Sequence, residues 1–219
     1  MRKWVVVLVL FSLLVLNSCT IMDQLDAEQQ SKVPAGAAYV YDDFRVPSRH
    51  WQTWTGEHGS IEIKNGFLYF SIKEPNFDFW SLNGSTYWDT VTAVDSEFLG
   101  GPGNNTYGII CRFQDEKNFY QFVISDDGYG GILKVENGQY INLTGEDGLR
   151  YGEMIQKGEG KNLLRADCVG DELKLVVNQQ ELVTVKDQSF KQGKVGVVAG
   201  TSEPGELDLS FDNFTIVKP

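Results

Sequence analysis

Short runs of β-branched and aromatic residues, separated by glycine, asparagine and aspartate, recur through most of this 219-residue chain. No long stretch shows the 3.6-residue spacing of apolar positions that an amphipathic helix requires. The clearest runs are 67–72, 119–124, 173–177 and 194–198. This pattern predicts an all-β protein of about a dozen short strands, arranged as a sandwich or a barrel.

Two-residue turn signals lie between several of the runs. Asn65-Gly66 and Asn137-Gly138 can adopt positive φ at both positions, as the tight turn of a two-residue hairpin requires. Asn178-Gln179 is a weaker form of the same signal. Because such turns join antiparallel neighbours, we predict antiparallel hairpins at all three places.

The first nineteen residues resemble a bacterial lipoprotein signal. Arg2 and Lys3 give a basic start, an apolar run covers 4–16, and a short segment then leads to Cys19. The alternative is a membrane-spanning helix, which needs about 20 apolar residues, more than this run contains. We therefore predict a signal peptide at 1–18, lipidation of Cys19, and an extracytoplasmic protein that is attached to its partner, the membrane, by the lipid anchor.

The remaining chain is acidic. The formal net charge is −11, and removal of 1–18 makes it more negative because Arg2 and Lys3 are lost. Such a surface repels nucleic acid, so we predict no nucleic-acid partner. Residues 19–38 contain few large apolar groups and are predicted to form a flexible tether. Residues 39–219 have the size of one all-β domain, which we expect to be monomeric.

Several strings in this domain resemble the concanavalin-A-like jelly-roll domains of bacterial envelope proteins, which are similar to laminin-G and 3-keto-disaccharide hydrolase domains. The strings are 107–113, 118–120, 125–129, 164–168 and 211–214. The resemblance covers 39–219 and implies an antiparallel two-sheet β-sandwich. It implies no single activity, because folds of this kind include enzymes, lectins and adhesion modules.

Two cysteines remain once Cys19 is lipidated, and export favours their oxidation. By strand alternation, Cys111 shares a side with Ile109, and Cys168 shares a side with Leu164. Both cysteines are therefore predicted to point into apolar surroundings and to form a disulfide. The alternative is two buried free thiols.

The same alternation singles out a polar set. If the cysteines face inward, Arg112, Arg165 and Asp167 face the other side of the sheet, and Gln121 joins them if its strand is adjacent. The resemblance implies that one open sheet face is concave and binds a ligand, so we predict that these four residues bind sugar hydroxyls. Five aromatic side chains are candidates for stacking on a sugar ring: Trp51, Trp54, Trp80, Trp88 and Tyr129. The alternative is cross-strand ion pairing, with the tryptophans in the core.

Catalytic and metal-binding groups are sparse. Glu206-Leu207-Asp208-Leu209 resembles the start of the catalytic strand of family-16 glycoside hydrolases, but Phe211 stands where the second carboxylate is needed. We therefore predict no catalytic residue. No cofactor is expected, with calcium as the alternative, held by Asp43 and Asp212 from the two ends of the domain.

These observations together predict a non-catalytic, lipid-anchored binding module whose ligand is a glycan. Two alternatives stay open, a glycoside hydrolase of the keto-disaccharide type and a purely structural or protein-interaction module.

Overall fold

The computed structural model describes residues 28–46, 48 and 50–219. Within these residues one helical turn at 28–31 precedes sixteen strands. In chain order the strands are β1 (Ala38–Asp42), β2 (Trp54–Gly56), β3 (Gly59–Lys64), β4 (Phe67–Ile72), β5 (Asp78–Tyr87), β6 (Thr90–Gly100), β7 (Thr106–Asp115), β8 (Asn118–Ser125), β9 (Tyr129–Glu136), β10 (Gln139–Asn142), β11 (Arg150–Tyr151), β12 (Gly160–Val169), β13 (Glu172–Val177), β14 (Gln180–Lys186), β15 (Gly193–Gly200) and β16 (Leu207–Val217).

The strands form two antiparallel sheets. The nine-stranded sheet has the order β14-β13-β12-β6-β16-β4-β3-β2, and β1 pairs with β16. The seven-stranded sheet has the order β10-β9-β8-β7-β15-β5, and β11 pairs with β9. The predicted all-β, antiparallel two-sheet sandwich is therefore confirmed.

The main core fills the space between the sheets. It is built mainly from the inward-facing residues of the longer strands, such as Phe70 and Phe211, whose rings meet edge to face with centroids 5.5 Å apart. Burying a side chain of this size stabilises the fold by roughly 1.5–3 kcal/mol. Cys111 of β7 and Cys168 of β12 lie in this core and form the predicted disulfide, which joins the two sheets.

The three hairpin turns are confirmed. Asn65-Gly66 joins β3 to β4, Asn137-Gly138 joins β9 to β10, and Asn178-Gln179 joins β13 to β14. All six residues have positive φ, between 49° and 80°. The sequence therefore specified these turns locally, because few residues other than glycine and asparagine reach this region without strain.

Residues 28–37 pack on the sandwich, although the sequence assigns them to the tether. Lys218 donates hydrogen bonds from Nζ to the carbonyl oxygens of Gln30, Ser31 and Val33, the shortest being 2.8 Å. Gln30 in turn donates from Nε2 to the carbonyl of Thr86 at 2.6 Å. Polar contacts therefore hold this segment, and apolar patterning gives no signal of them.

The predicted signal peptide, Cys19 and the first part of the predicted tether lie outside the described residues. Among the described residues, none of the helical structure has the length and apolar character of a membrane-spanning helix.

Candidate functional site

The polar face predicted from strand alternation does not exist. Arg112 belongs to β7 of the seven-stranded sheet, whereas Arg165 and Asp167 belong to β12 of the nine-stranded sheet. Cys111 and Cys168 meet in the core between the sheets, so simple alternation would direct the residues beside them to opposite outer surfaces and not to one shared face. Alternation gives a direction relative to a strand's own sheet and does not say which sheet the strand joins.

Arg112 is a buried structural residue. It lies at a β-bulge with a φ of 52°, and only 2% of its surface is exposed. Its guanidinium donates to the carbonyl oxygens of Phe190 (2.9 Å) and Trp88 (3.4 Å) and to a carboxylate oxygen of Asp89 (3.0 Å). Arg112 therefore ties two loops to the end of β7 and is not available to a ligand.

Arg165 and Asp167 pair with each other on the outer face of the nine-stranded sheet. Two hydrogen bonds of 2.7 Å join the guanidinium to the two carboxylate oxygens. The arginine side chain is 48% exposed, so this is a surface ion pair of small energetic value. Arg165 and Asp167 are therefore ion-paired, as the alternative to the sugar site supposed, but within the single strand β12 and not across strands.

Asp43 and Asp212 each bind a nearby backbone amide. Asp43 accepts from the amide of Arg45 at 3.2 Å, and Asp212 accepts from the amide of Asn213 at 2.7 Å. Among residues 28–46, 48 and 50–219, no three His, Cys, Asp or Glu side chains are grouped so that they could hold a metal ion. The calcium site stays a prediction that rests on these two residues alone.

Gln121 belongs to a different polar network, on the outer face of the seven-stranded sheet. Its amide donates to Oδ2 of Asp78 at 3.3 Å, and the hydroxyl of Tyr140 donates to the same oxygen at 2.7 Å. Burial, and then the charge of Asp78, raise the pKa of Tyr140, so this phenol remains a donor at neutral pH.

This network shows that the outer face is concave. Asp78 lies on β5 and Tyr140 on β10, the strands at the two ends of the sheet order. Their side chains can form a hydrogen bond only if the sheet curves around its outer surface. The bulges at Arg112 in β7 and at Gly84–Ser85 in β5 provide such bending.

A second apolar cluster lines the concave face. Its buried members are Leu82, Ile110, Phe119, Val123, Val135 and Val198. Trp80 and Phe113 pack on this cluster and remain half-buried, and Phe113 faces outward because the bulge at Arg112 shifts the alternation by one residue. The ring centroids of Trp80 and Phe113 are 6.0 Å apart, so the two rings form one aromatic surface.

A groove of about 530 Å³ opens over these two rings. Trp80, Leu82 and Phe113 line it together with polar side chains, namely Gln52, Asp115, Glu116, Lys117, Asn118 and Lys194. Amide, ammonium and carboxylate groups thus surround an aromatic surface. We call this the Trp80 groove.

The turn between β7 and β8 forms one wall of the Trp80 groove and is held by its own side chains. A carboxylate oxygen of Asp115 accepts from the amide of Lys117 at 2.8 Å and from the side chain of Asn118 at 2.9 Å. The side chain of Asn118 then accepts from the amide of Asn137 in the next hairpin at 3.2 Å. The wall is therefore ordered before any ligand binds.

A second groove of about 400 Å³ lies next to the first. Its lining is aromatic and acidic and comprises Gln52, Trp54, Ile61, Phe77, Asp78, Phe79, Trp80 and Glu116. We call this the Trp54 groove. Trp54 and Trp80 were among the five predicted stacking candidates, whereas Asp78, Tyr140 and the wall at 115–118 were missed.

One sequence signal could have located the concave face. The run 119–124 in β8 is aliphatic or aromatic at every position except Gln121, which indicates a strand buried on both faces. A lone polar residue in such a strand requires a partner, and here the partner is Asp78.

No protein-family model and no curated protein sequence matches the chain. Among solved structures, the sandwich is similar to a carbohydrate-binding module, CBM66 from Bacillus subtilis, with a TM-score of 0.60 and 18% identity over 77% of this chain and 95% of that one. Its fold is the β-sandwich of that module.

Two further solved structures are similar. A protein of unknown function with a galectin-like fold from Bacillus subtilis has a TM-score of 0.59 and 11% identity over 84% of this chain and 97% of that one. The GH43 protein BlXynB from Bacillus licheniformis has a TM-score of 0.60 and 14% identity over 82% of this chain and 39% of that one. The chain thus spans about two fifths of the GH43 protein, and these likenesses establish the fold alone.

Proposed function

We propose that this protein is a non-catalytic carbohydrate-binding module that binds a glycan in the Trp80 groove. The observation that carries the proposal is the half-buried aromatic surface of Trp80 and Phe113, enclosed by polar side chains on a concave sheet face. The fold shared with a carbohydrate-binding module supports it.

The chemistry of the groove suits a sugar. A pyranose ring has an apolar face that packs on an indole, and its hydroxyls require hydrogen-bonding partners at the rim. Gln52 and Lys194 supply donors there, and Glu116 supplies a charged acceptor. A volume of about 530 Å³ lies within the range of small-ligand sites.

The test is a glycan array probed with the purified protein and with the Trp80→Ala variant. Loss of the indole should weaken binding at least tenfold, about 1.4 kcal/mol, as expected when an aromatic anchor is truncated. Trp88→Ala is the matched control, because Trp88 is 55% exposed in the turn between β5 and β6 and lines neither groove.

Gln52→Ala provides a second variant in case Trp80→Ala disturbs the packing of Phe113 and Phe119. Gln52 is exposed at the rim, and its side chain makes no hydrogen bond within the described residues, so the fold should tolerate the change. A several-fold loss of affinity is expected. Unchanged glycan binding by both folded variants would refute the proposed site.

Glycoside hydrolysis is the second candidate, favoured by one observation. Asp78 and Glu116 line the same groove, and glycoside hydrolases use a pair of carboxyl groups. Glu116 is exposed on a turn, however, whereas a catalytic acid is normally kept protonated by burial. Release of sugar from array-positive glycans by the wild type, but not by Glu116→Gln, would replace the binding proposal with this one.

The cell-envelope location forms part of the proposal. Cys19, the predicted lipidated residue, precedes the first described residue, Glu28, by nine positions, so a short segment would connect the sandwich to a membrane. We propose that the module is held outside the cytoplasm by this anchor and presents its concave face to glycans at the cell surface.

A further inference from the structure

The Trp80 groove and the Trp54 groove adjoin each other, and we call the pair the cleft. Both are lined by Gln52, Trp80 and Glu116, so they meet along these three side chains. Their volumes are about 530 and 400 Å³, and Trp80 contributes to the lining of both. The cleft therefore continues beyond the concave face.

The continuation passes around the edge of the seven-stranded sheet. β5 is an edge strand that pairs with β15, and its neighbouring residues Phe79 and Trp80 point to opposite faces. Trp80 lies on the concave side, whereas Phe79 lies in the main core and contacts Trp54 with ring centroids 4.8 Å apart. The two indoles thus stand on either side of the β5 edge.

Trp54 is held in place although it is 41% exposed. It lies on β2, at the edge of the nine-stranded sheet, and its ring packs on Phe79 at an interplanar angle of 56°. A Cβ at position 56 would come within 2.9 Å of the ring, so Gly56 leaves the space that the indole occupies. An exposed but supported indole is a pre-ordered stacking surface.

Polar groups lie along the aromatic floor where the two grooves meet. Both recorded hydrogen bonds of Asp78 end on Oδ2, which leaves Oδ1 without a donor among the described residues. The carboxylate of Glu116 has no protein partner in the same part of the chain. Two charged acceptors beside two indoles match the alternating hydroxyls and apolar faces of a sugar chain.

We propose that the cleft binds an extended oligosaccharide, with Trp80 and Trp54 as two separate stacking platforms. The proposal rests on the proposed glycan-binding function and adds the ligand class, a chain of several sugars rather than a single terminal sugar. The Trp80 groove alone already has the volume of a small-ligand site, so the further 400 Å³ accommodates additional sugar units.

The test measures affinity against ligand length by isothermal titration calorimetry. The probes are linear β-1,4-linked xylo-, gluco- and manno-oligosaccharides of two to six units. For the series that binds, affinity of the wild type should rise with length, because longer chains reach the second platform. Trp54→Ala should weaken the six-unit ligand at least tenfold and the two-unit ligand less than twofold.

Trp80→Ala should weaken ligands of every length, and Trp88→Ala should weaken none. Gly56→Ala is a second variant that keeps the indole but moves it, because the new methyl group would occupy space now filled by the ring. It should reproduce the loss for long ligands only, while the melting temperature reports that the fold is retained.

The outcomes separate the two proposals. If Trp54→Ala and Gly56→Ala bind the six-unit ligand as the wild type does while Trp80→Ala does not, the extended cleft is wrong and the glycan-binding function stands. An equal loss at all lengths for Trp54→Ala would also overturn the extended cleft. If the wild type binds none of these probes, the extended cleft is wrong for linear chains, and the glycan array decides the function.

Discussion

The disulfide between Cys111 and Cys168 is the covalent link between the two sheets, and its removal tests the architecture directly. It joins β7 of the seven-stranded sheet to β12 of the nine-stranded sheet, and the two cysteines have a sequence separation of 57. Both cysteines are fully buried. The perturbation is replacement of both by alanine, which removes the link and leaves no buried unpaired polar group.

The expected loss follows from the length of the closed loop. In the chain-entropy relation, a loop of this size removes about 14 cal/mol/K of entropy from the unfolded state, or about 4 kcal/mol at 25 °C. Loss of two buried sulfur atoms adds to this amount. Because typical domains are stable by only about 5–15 kcal/mol, the double variant should be close to unfolding at 37 °C.

Urea unfolding followed by tryptophan fluorescence provides the measurement. The double alanine variant should show a free energy of unfolding about 4 kcal/mol lower and a larger denaturant slope, since an uncrosslinked unfolded chain exposes more surface. The single variant Cys168→Ala is the control for packing and should lose a similar amount. A double variant within about 1 kcal/mol of the wild type would refute the reasoning, as would alkylation of both cysteines in the unreduced, denatured protein.

Four further changes have defined outcomes. Arg165→Ala should cost less than about 1 kcal/mol of stability in thermal unfolding and leave glycan binding unchanged, because its ion pair is exposed; weakened glycan binding would restore it as a ligand residue. Arg112→Ala should cost about 2–3 kcal/mol in the same assay by leaving the Phe190 carbonyl unpaired and removing a charged hydrogen bond; a cost below about 1 kcal/mol would contradict its structural role. Burial raises the pKa of Asp187, but hydrogen bonds from Tyr120, Ser189 and Lys134 outweigh burial and lower this pKa to about 2. The stabilisation by Asp187 is therefore present above the unfolded value near 3.9 and is lost as the pH falls toward 2. Between pH 7 and pH 3 in thermal unfolding, the free energy of unfolding of Asp187→Asn should fall by about 1–2 kcal/mol less than that of the wild type, and an equal fall would argue against this contribution. Cys19→Ala should abolish incorporation of labelled fatty acid in cells, and continued labelling would disprove the anchor.

Local sequence patterns predicted the parts of this protein that depend on neighbouring residues. Asn65-Gly66 and Asn137-Gly138 form hairpins because positive φ is a property of those residues themselves. The inward direction of Cys111 and Cys168 followed from alternation within each strand, and the disulfide confirms it. The sandwich class follows from many such short strands.

Arg112 is a residue for which alternation along the strand predicted the wrong direction of the side chain. Alternation placed it on an outer face, but the bulge in β7 gives it a positive φ and turns its side chain toward the Phe190 carbonyl. Phe113 takes the outer position instead and forms the floor of the Trp80 groove. A bulge depends on the register between partner strands, which the sequence of one strand does not contain.

The sequence by itself determined the strands, their turns, the inward cysteines and the acidic surface, because each of these depends on residues a few positions apart. Only the tertiary structure decided which sheet each strand joins, and therefore that Gln121 meets Asp78 from 43 residues away. It also decided that Trp54 and Trp80 line one cleft, since β2 and β5 belong to different sheets. Strand order and sheet curvature are set by packing of the whole chain around its core, and the candidate site depends on both.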